Sequence, residues 1–408
     1  MNPTATFDET ERADARRPVV LFGIGIAIFV LFLFTIVVKL GNENDFPREA
    51  WGPYRLLFHG HVIGFLRTSP PYVGSLILRA PFALLAALFG AGRQGVYIAT
   101  ALPCVVAPGL LAGWLASGRG ARPGTLGAEG RRRLWPLDLF MCTPPAVICL
   151  TGGHPEDILG AVLCVAAGLL AQRGSARAAG ILLGLALINK PWALIAAPLV
   201  FALMPGDRRL SGLRWAALVT AIVMVPVLAI RMTGADASIA GLGGSDDGLF
   251  LVPQLWWFLG RDSWIAREGH IVLVAVGWLF TAAWWWLCVH NNRERPSRGS
   301  ALMMLALVLF LRAALDPWDN IYYFAPFMLA LMAYEDAGGF PGLTLAFMIL
   351  LVVIVPPGGL LSGLGNDGHA AVFAVFALAT IGFLTQRAFA PGRPRARRLY
   401  AAVSRSGV

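Results

Sequence analysis

The chain has 408 residues, of which 57% are hydrophobic and only 14% charged, and its mean hydropathy is +0.67; a soluble domain carries about 25% charged residues. Runs of about 20 apolar residues recur along its whole length, so the composition excludes a soluble globular protein and predicts a polytopic helical membrane protein with no room for a large soluble domain. The net charge of +10 is spread over short loops and the C-terminal tail, the distribution of a membrane protein obeying the positive-inside rule rather than of a nucleic-acid-binding surface.

The first 17 residues are polar and mixed in charge, and read as a cytoplasmic tail ending in Arg16-Arg17. An apolar run from Pro18 to Leu40 follows. It is too long for a signal-peptide core and lacks a small-residue cleavage site, so it is expected to be a retained first helix. Next comes the most polar stretch of the body, Asp45 to Tyr72, with acids, bases, two histidines and Pro70-Pro71. Its apolar residues Trp51, Tyr54, Leu57, Phe58, Ile63, Phe65 and Leu66 keep helical spacing, which predicts short amphipathic helices in a membrane interface, on the outer face. The first outer loop is therefore placed at 45–69, inside a membrane body spanning 18–388. A second helix opens at the Pro-Pro pair and ends near Gly90, because proline costs no hydrogen bond in a first turn. A third covers Val96 to Leu115, interrupted by Pro103 and Pro108.

The loop Ser117–Arg133 carries five arginines and belongs in the cytoplasm by charge, yet three full crossings from a cytoplasmic N-terminus put it outside. Either the third helix is broken or re-entrant at its prolines, or the charge rule fails there. From that point the charges agree. Helices at Leu134–Leu150 and Ile158–Ala171 are joined by Gly152-Gly153-His154-Pro155-Glu156-Asp157 at the outer face. Ala178–Met204 is broken at Asn189-Lys190-Pro191-Trp192, since proline removes a helix hydrogen bond, and basic residues on both flanks predict two half-helices or a kinked element with Lys190 near the outer surface. Leu213–Ile230 leads to an acidic loop with Asp236, Asp246 and Asp247 and to a short interfacial piece, Leu249–Leu259. Ile271–Val289, Ala301–Leu315, Ile321–Tyr334, Leu343–Val355 and Ala370–Leu384 complete the body, and 389–408 is a basic cytoplasmic tail suited to anionic lipid. The expected fold class is all-α, a polytopic transmembrane bundle of about 11–13 helices. The five cysteines lie inside apolar segments with no CxxC, so neither a disulfide nor structural zinc is expected.

Four polar clusters remain: Asp45 to Arg67, His154 to Asp157, Asn189-Lys190, and Arg312 to Tyr323. The charge-derived topology puts all four at the outer ends of helices and so predicts one outward-facing cavity, because ionisable groups near hydrocarbon pair or line wet space. Each has a plainer reading. Asp45 fits a solvated loop acid, and His59 and His61 fit interfacial side chains. Glu156 and Asp157 suit a helix first turn as dipole partners, Lys190 can snorkel, and Arg312 and Asp316 are spaced to pair on one helix face. The Trp-rich segments fit interface belts.

The order Asp45-Phe46 after the first helix, then Tyr54, Leu56-Leu57 and Gly60, then Pro70-Pro71 and Pro81, resembles the first outer loop of the GT-C superfamily, specifically the polyprenyl-phosphate-mannose-dependent glycosyltransferase family 87. Gly153-His154-Pro155-Glu156-Asp157 stands where that family carries a Gly-Gln or Gly-His element. The run Ala179-Gly180-Ile181-Leu182-Leu183-Gly184-Leu185-Ala186, ending in Asn189-Lys190-Pro191, resembles that family's A-G-x-x-L-G-L-A…K-P segment. The resemblance covers about Asp45 to Leu203; the family's Tyr-Pro-Pro tyrosine is Ser69 here, and the spacing from Asp45 to Tyr54 is longer than usual.

This resemblance implies a GT-C-type bundle acting as a hexosyltransferase, most simply a mannosyltransferase, at the outer face of the plasma membrane with both termini cytoplasmic. Sugar passes with inversion from a polyprenyl-phosphate donor to a glycan or glycolipid acceptor, with membrane lipids as the other partners and no nucleic acid. Asp45 stands at the position of the general base. Arg67, Lys190 and Arg312 are the candidate cations for the leaving phosphate, and Tyr54, His59, His154, Glu156, Asp316 and Tyr323 complete the candidate substrate-binding set. No nucleotide motif, cofactor or metal set is expected. The competing readings are a transporter or flippase for a lipid or small anion, and a silent relative that binds a lipid-linked glycan without consuming it.

Overall fold

A computed structural model describes residues 45–116, 135–233, 254–260, 263–292, 296–316, 321–337, 340, 342–356 and 359–389. The expected first helix, both tails, the arginine loop 117–133, the acids Asp236, Asp246 and Asp247, and Pro317 to Asn320 lie outside these residues. Every regular element described is helical. Four helical stretches, Arg93–Leu111, Gly206–Met232, Arg298–Leu315 and Ser362–Phe389, are long and apolar enough to cross a membrane.

The polar stretch after Asp45 folds into three short helices, α1 (Asp45–Glu49), α2 (Trp51–Phe58) and α3 (Val62–Thr68). Each turns its apolar side inward, so that Phe46, Tyr54 and Phe65 are buried and stack in series. Gly60 takes a positive φ of 79° between α2 and α3, a turn that a side chain would strain. Two arginines clasp this unit to the end of α10 (Arg209–Met232). Arg231 donates to the carbonyls of Leu66, Ser69 and Pro70, and Arg67 donates back to the Ile230 carbonyl at 3.4 Å and Thr233 Oγ1 at 3.3 Å.

α4 (Val73–Leu88) opens directly after the Pro-Pro pair. α5 (Arg93–Ala116) is continuous, with Pro103 and Pro108 inside it, so the expected interruption at the prolines is not found. The direction of α5 is fixed at both ends. Near its start, Tyr97 donates to the carbonyl of Leu150, at the end of α6 (Trp135–Gly152) and close to the polar turn that follows. Near its finish, the Trp114 ring lies 4.1 Å beneath the Arg173 guanidinium, just past the far end of α7 (Glu156–Gln172). α4 begins at the same end of the bundle as α5, because its Gly74 backs onto the Ile188 carbonyl near the end of α8 (Ala176–Asn189). The α4 hairpin therefore does not carry the chain across the bundle. α5 runs from the polar end toward the end where Arg173 and Arg177 lie.

Beyond that point the helices alternate in direction. α8 ends at Asn189, Lys190 is extended (φ −149°, ψ 127°), and the chain returns through a 3-10 turn, Pro191–Ala196, into α9 (Ala197–Leu203). This is the expected pair of half-helices. α8 packs along α10 through glycines: a Cβ on Gly180 would run into the Gly212 carbonyl, so only glycine permits this approach. α11 (Trp264–Asn292), α12 (Arg298–Leu315), α13 (Ala325–Asp336), α14 (Leu343–Ile354) and α15 (Gly365–Phe389) complete the bundle. α12 is apolar apart from Arg312 and buried continuously from Ala301 to Leu315, the behaviour of a central helix. α10 leaves Leu210, Leu213, Leu218, Ile222, Val225 and Leu228 exposed, as a helix on the outside of the bundle does.

Candidate functional site

Five parts of the chain converge at the polar end. α1 brings Asp45 and Glu49, the interior of α4 brings Arg79, and the turn from α6 to α7 brings His154, Glu156 and Asp157. The break after α8 brings Lys190 and Trp192, and the end of α12 with the following 3-10 turn brings Arg312 and Tyr323. The turn exists because Gly153 takes a positive φ of 87° and Pro155 opens α7, which points both acids at the helix start into the bundle.

The buried part is a chain of alternating charges. Arg79 meets Glu156 at 3.1 Å, Lys190 meets Glu156 at 3.0 Å and Asp157 at 3.6 Å, and Arg312 meets Asp157 at 3.4 Å. All five side chains are at most 10% exposed. Such charges are tolerated because each faces an opposite one and neutral groups complete the shell. Trp192 Nε1 donates to Asp157 Oδ1 at 2.7 Å, and Asn189 Nδ2 donates to the Glu156 carbonyl at 2.8 Å. Aromatic faces cover the cations: the Lys190 ammonium sits 3.8 Å from the Tyr72 ring, and the Arg312 guanidinium 3.8 Å from the Tyr323 ring.

His154 links this buried chain to the surface. Its Nδ1 lies 2.8 Å from Glu156 Oε1 and its Nε2 lies 3.0 Å from Asp45 Oδ2. The turn that carries it is outside both flanking helices. Burial and the neighbouring Lys190 push the imidazole down, but its hydrogen bonds to Asp45 and Glu156 prevail and hold it up at about 9. At neutral pH the ring is then an imidazolium that donates from both nitrogens. Asp45 differs from the rest in being 34% exposed. It is a carboxylate fixed from behind and open in front, the arrangement a general base requires.

Ligand-type atoms of Asp45, Glu49 and His154 lie within 4.8 Å of one another, as do those of His154, Glu156 and Asp157. In the second group Lys190 Nζ already stands 3.4 Å from His154 Nδ1 and 3.0 Å from Glu156, where a cation would sit. In the first, a metal would have to displace the proton that the hydrogen bonds to Asp45 and Glu156 favour on the imidazole.

Of the residues expected from sequence, the structure brings together Asp45, His154, Glu156, Lys190, Arg312 and Tyr323, and buries Asp316 at the same end. Glu156 and Asp157 do more than serve a helix dipole, since both are fully buried partners of cations. Arg312 meets Asp157, across the bundle on α7. Three expected residues have other work. The Tyr54 hydroxyl donates to the Leu76 carbonyl at 3.1 Å inside the loop's aromatic stack. His59 is exposed and its Nδ1 pairs with the Arg55 carbonyl at 2.7 Å. Arg67 forms half of the clasp to α10, and the arginine that joins the buried charges beside Glu156 is Arg79, which sequence reasoning passed over. The signal for Arg79 was present: it is the one charged residue in the apolar helix Val73–Leu88, and a lone intramembrane charge marks a buried partner. Tyr72 and Trp192, which cover Lys190 and hold Asp157, were also missed; aromatic residues beside prolines read as interface anchors.

No protein-family model matches this chain, and neither a curated protein nor a solved structure matches it.

Proposed function

We propose that this protein is a membrane-embedded glycosyltransferase of GT-C type that takes a sugar from a polyprenyl-phosphate donor. The observation that carries the reading is Asp45, a carboxylate about one third exposed at the edge of a cluster whose cations are buried, held by His154 with those cations behind it. The resemblance of the first outer loop to glycosyltransferase family 87 supports the same assignment and makes mannose the first sugar to try.

In this reading the acceptor hydroxyl approaches the exposed face of Asp45, which takes its proton as the oxygen attacks the anomeric carbon. The bond from that carbon to the phosphate oxygen breaks, and the lipid phosphate leaves with its electron pair, inverting the centre. His154 fixes the carboxylate, and Lys190 and Arg312 are the nearest candidates to meet the growing phosphate charge. Their contacts to Asp157, at 3.6 and 3.4 Å, are longer than ordinary charge-assisted hydrogen bonds, so they are the pairs most easily exchanged for a phosphate oxygen. The positive-inside rule supports an orientation in which the basic loops at the opposite end face the cytoplasm and Asp45 faces outward.

The buried alternation Arg79, Glu156, Lys190, Asp157, Arg312 favours a second reading, a lipid or anion transporter, because such relays also occur on ion pathways. Reconstituted protein separates the two. The first reading expects a covalent glycan product from labelled polyprenyl-phosphate-mannose; flux without product would replace it with the second.

A further inference from the structure

A cavity of about 470 Å³ opens at the end of the bundle away from Asp45, lined by Gly174, Ser175, Arg177, Ile181, Arg208 and Ser211 among others. It lies one length of α8 from Lys190, roughly 21 Å at 1.5 Å per residue. Two arginines form its rim. The Arg177 guanidinium is stacked 4.2 Å over the Trp215 ring, which fixes its plane and leaves its in-plane N–H edge for an acceptor. Arg208 is tied back by a 3.2 Å hydrogen bond from Nη1 to the Gly174 carbonyl. Ser175 and Ser211 add hydroxyls, and Ala176, Ala178 and Ile181 make the floor apolar. Beside the rim, Leu210 and Leu213 are exposed on α10.

The surrounding charge is one-sided. Arg173, Arg209 and Arg214 flank the pocket, and the acid nearest in sequence is Asp207, 77% exposed and 3.7 Å from Arg208. Two neighbouring arginines are also laid on tryptophans, Arg173 on Trp114 at 4.1 Å and Arg209 on Trp285 at 4.8 Å. Indoles and arginine stems of this kind mark the headgroup level of a bilayer.

We propose that this pocket binds the headgroup of an anionic phospholipid, with its phosphodiester between Arg177 and Arg208 and an acyl chain along Leu210 and Leu213. A zwitterionic lipid would bring a quaternary ammonium into a site rimmed by arginines, so the pocket selects for net negative charge. The site is separate from the Asp45 cluster and does not depend on what that cluster does.

Native mass spectrometry of the full-length protein in detergent, titrated with phosphatidylglycerol or phosphatidylcholine, tests it. The first phosphatidylglycerol is expected to bind about tenfold more tightly than phosphatidylcholine. Arg177→Gln with Arg208→Gln should bring it to the phosphatidylcholine level, while Arg387→Gln, at the same end on α15, should leave it unchanged. Soluble glycerol phosphate at millimolar concentration should not displace the lipid. Equal binding of both lipids, retention of selectivity in the double variant, or an equal loss in Arg387→Gln would overturn the proposal. Displacement by glycerol phosphate would assign the pocket to a soluble anion instead. All three arginines are exposed or at the surface, and an unchanged melting temperature confirms that each variant is folded.

Discussion

The two ends of the bundle use the same residue types in opposite ways. At the polar end, Arg79, Lys190 and Arg312 are buried and each meets a carboxylate. At the opposite end, Arg173, Arg177 and Arg208 are exposed, and the first two lie on tryptophan rings. A buried cation without its acid is very costly, whereas an exposed one on an indole depends on little else. The first end is thus rigid and specific, with charge positions fixed to within a hydrogen bond. The second tolerates change and suits a surface that meets many lipid molecules. Function that requires placed protons and charges belongs at the first end.

The contrast can be broken most severely at Glu156. Glu156→Ala removes the shared partner of Arg79, Lys190 and His154 and leaves buried cations uncompensated, a loss expected to be about 3–5 kcal/mol. Denaturation in detergent would read it as a collapse in melting temperature or in folded yield. An equally stable variant would mean that water reaches these cations.

Next in size is the division among the candidate phosphate cations. Arg312→Lys keeps the charge but loses the planar fork, and should lower transfer by roughly 10²-fold while the protein remains folded. Arg67→Ala should lower the rate by far less, because Arg67 serves the clasp to α10. If both variants fall together, the division between the cluster and the clasp is wrong.

A smaller effect is expected with pH. His154 is held at about 9, above its ordinary 6.5, so its contribution is fully present below about pH 6.5 and is lost as pH rises through about 9. The melting temperature should therefore decline between pH 7 and 10, and His154→Gln should flatten that decline. The smallest change is at the other end, where Arg208→Gln should alter stability by no more than about 0.5 kcal/mol.

Much of this was legible in the sequence. Hydropathy located the helices, and the proline after Lys190 located the break between α8 and α9. Charge counting brought the clusters around Asp45, His154, Lys190 and Arg312 to one end before any contact was known. The path of residues 70–116 was not legible, because a hairpin that returns to its own side is as apolar as one that crosses. Pairing was not legible either. Arg312 meets Asp157, from a helix some 150 positions earlier, a contact that no spacing along the chain announces. Arg79 was hidden by the apolar helix around it, and the clasp made by Arg67 depends on the end of α10, far away in sequence.

The central claim is that Asp45 acts as the base on an acceptor hydroxyl that attacks a lipid-linked sugar. The most direct test is transfer of labelled mannose from polyprenyl-phosphate-mannose by the reconstituted natural protein and by Asp45→Asn, which keeps the size and removes the charge. The account predicts product from the natural protein and, at matched folded amounts, a loss of at least about 10²-fold in the variant. Equal product from both would contradict it.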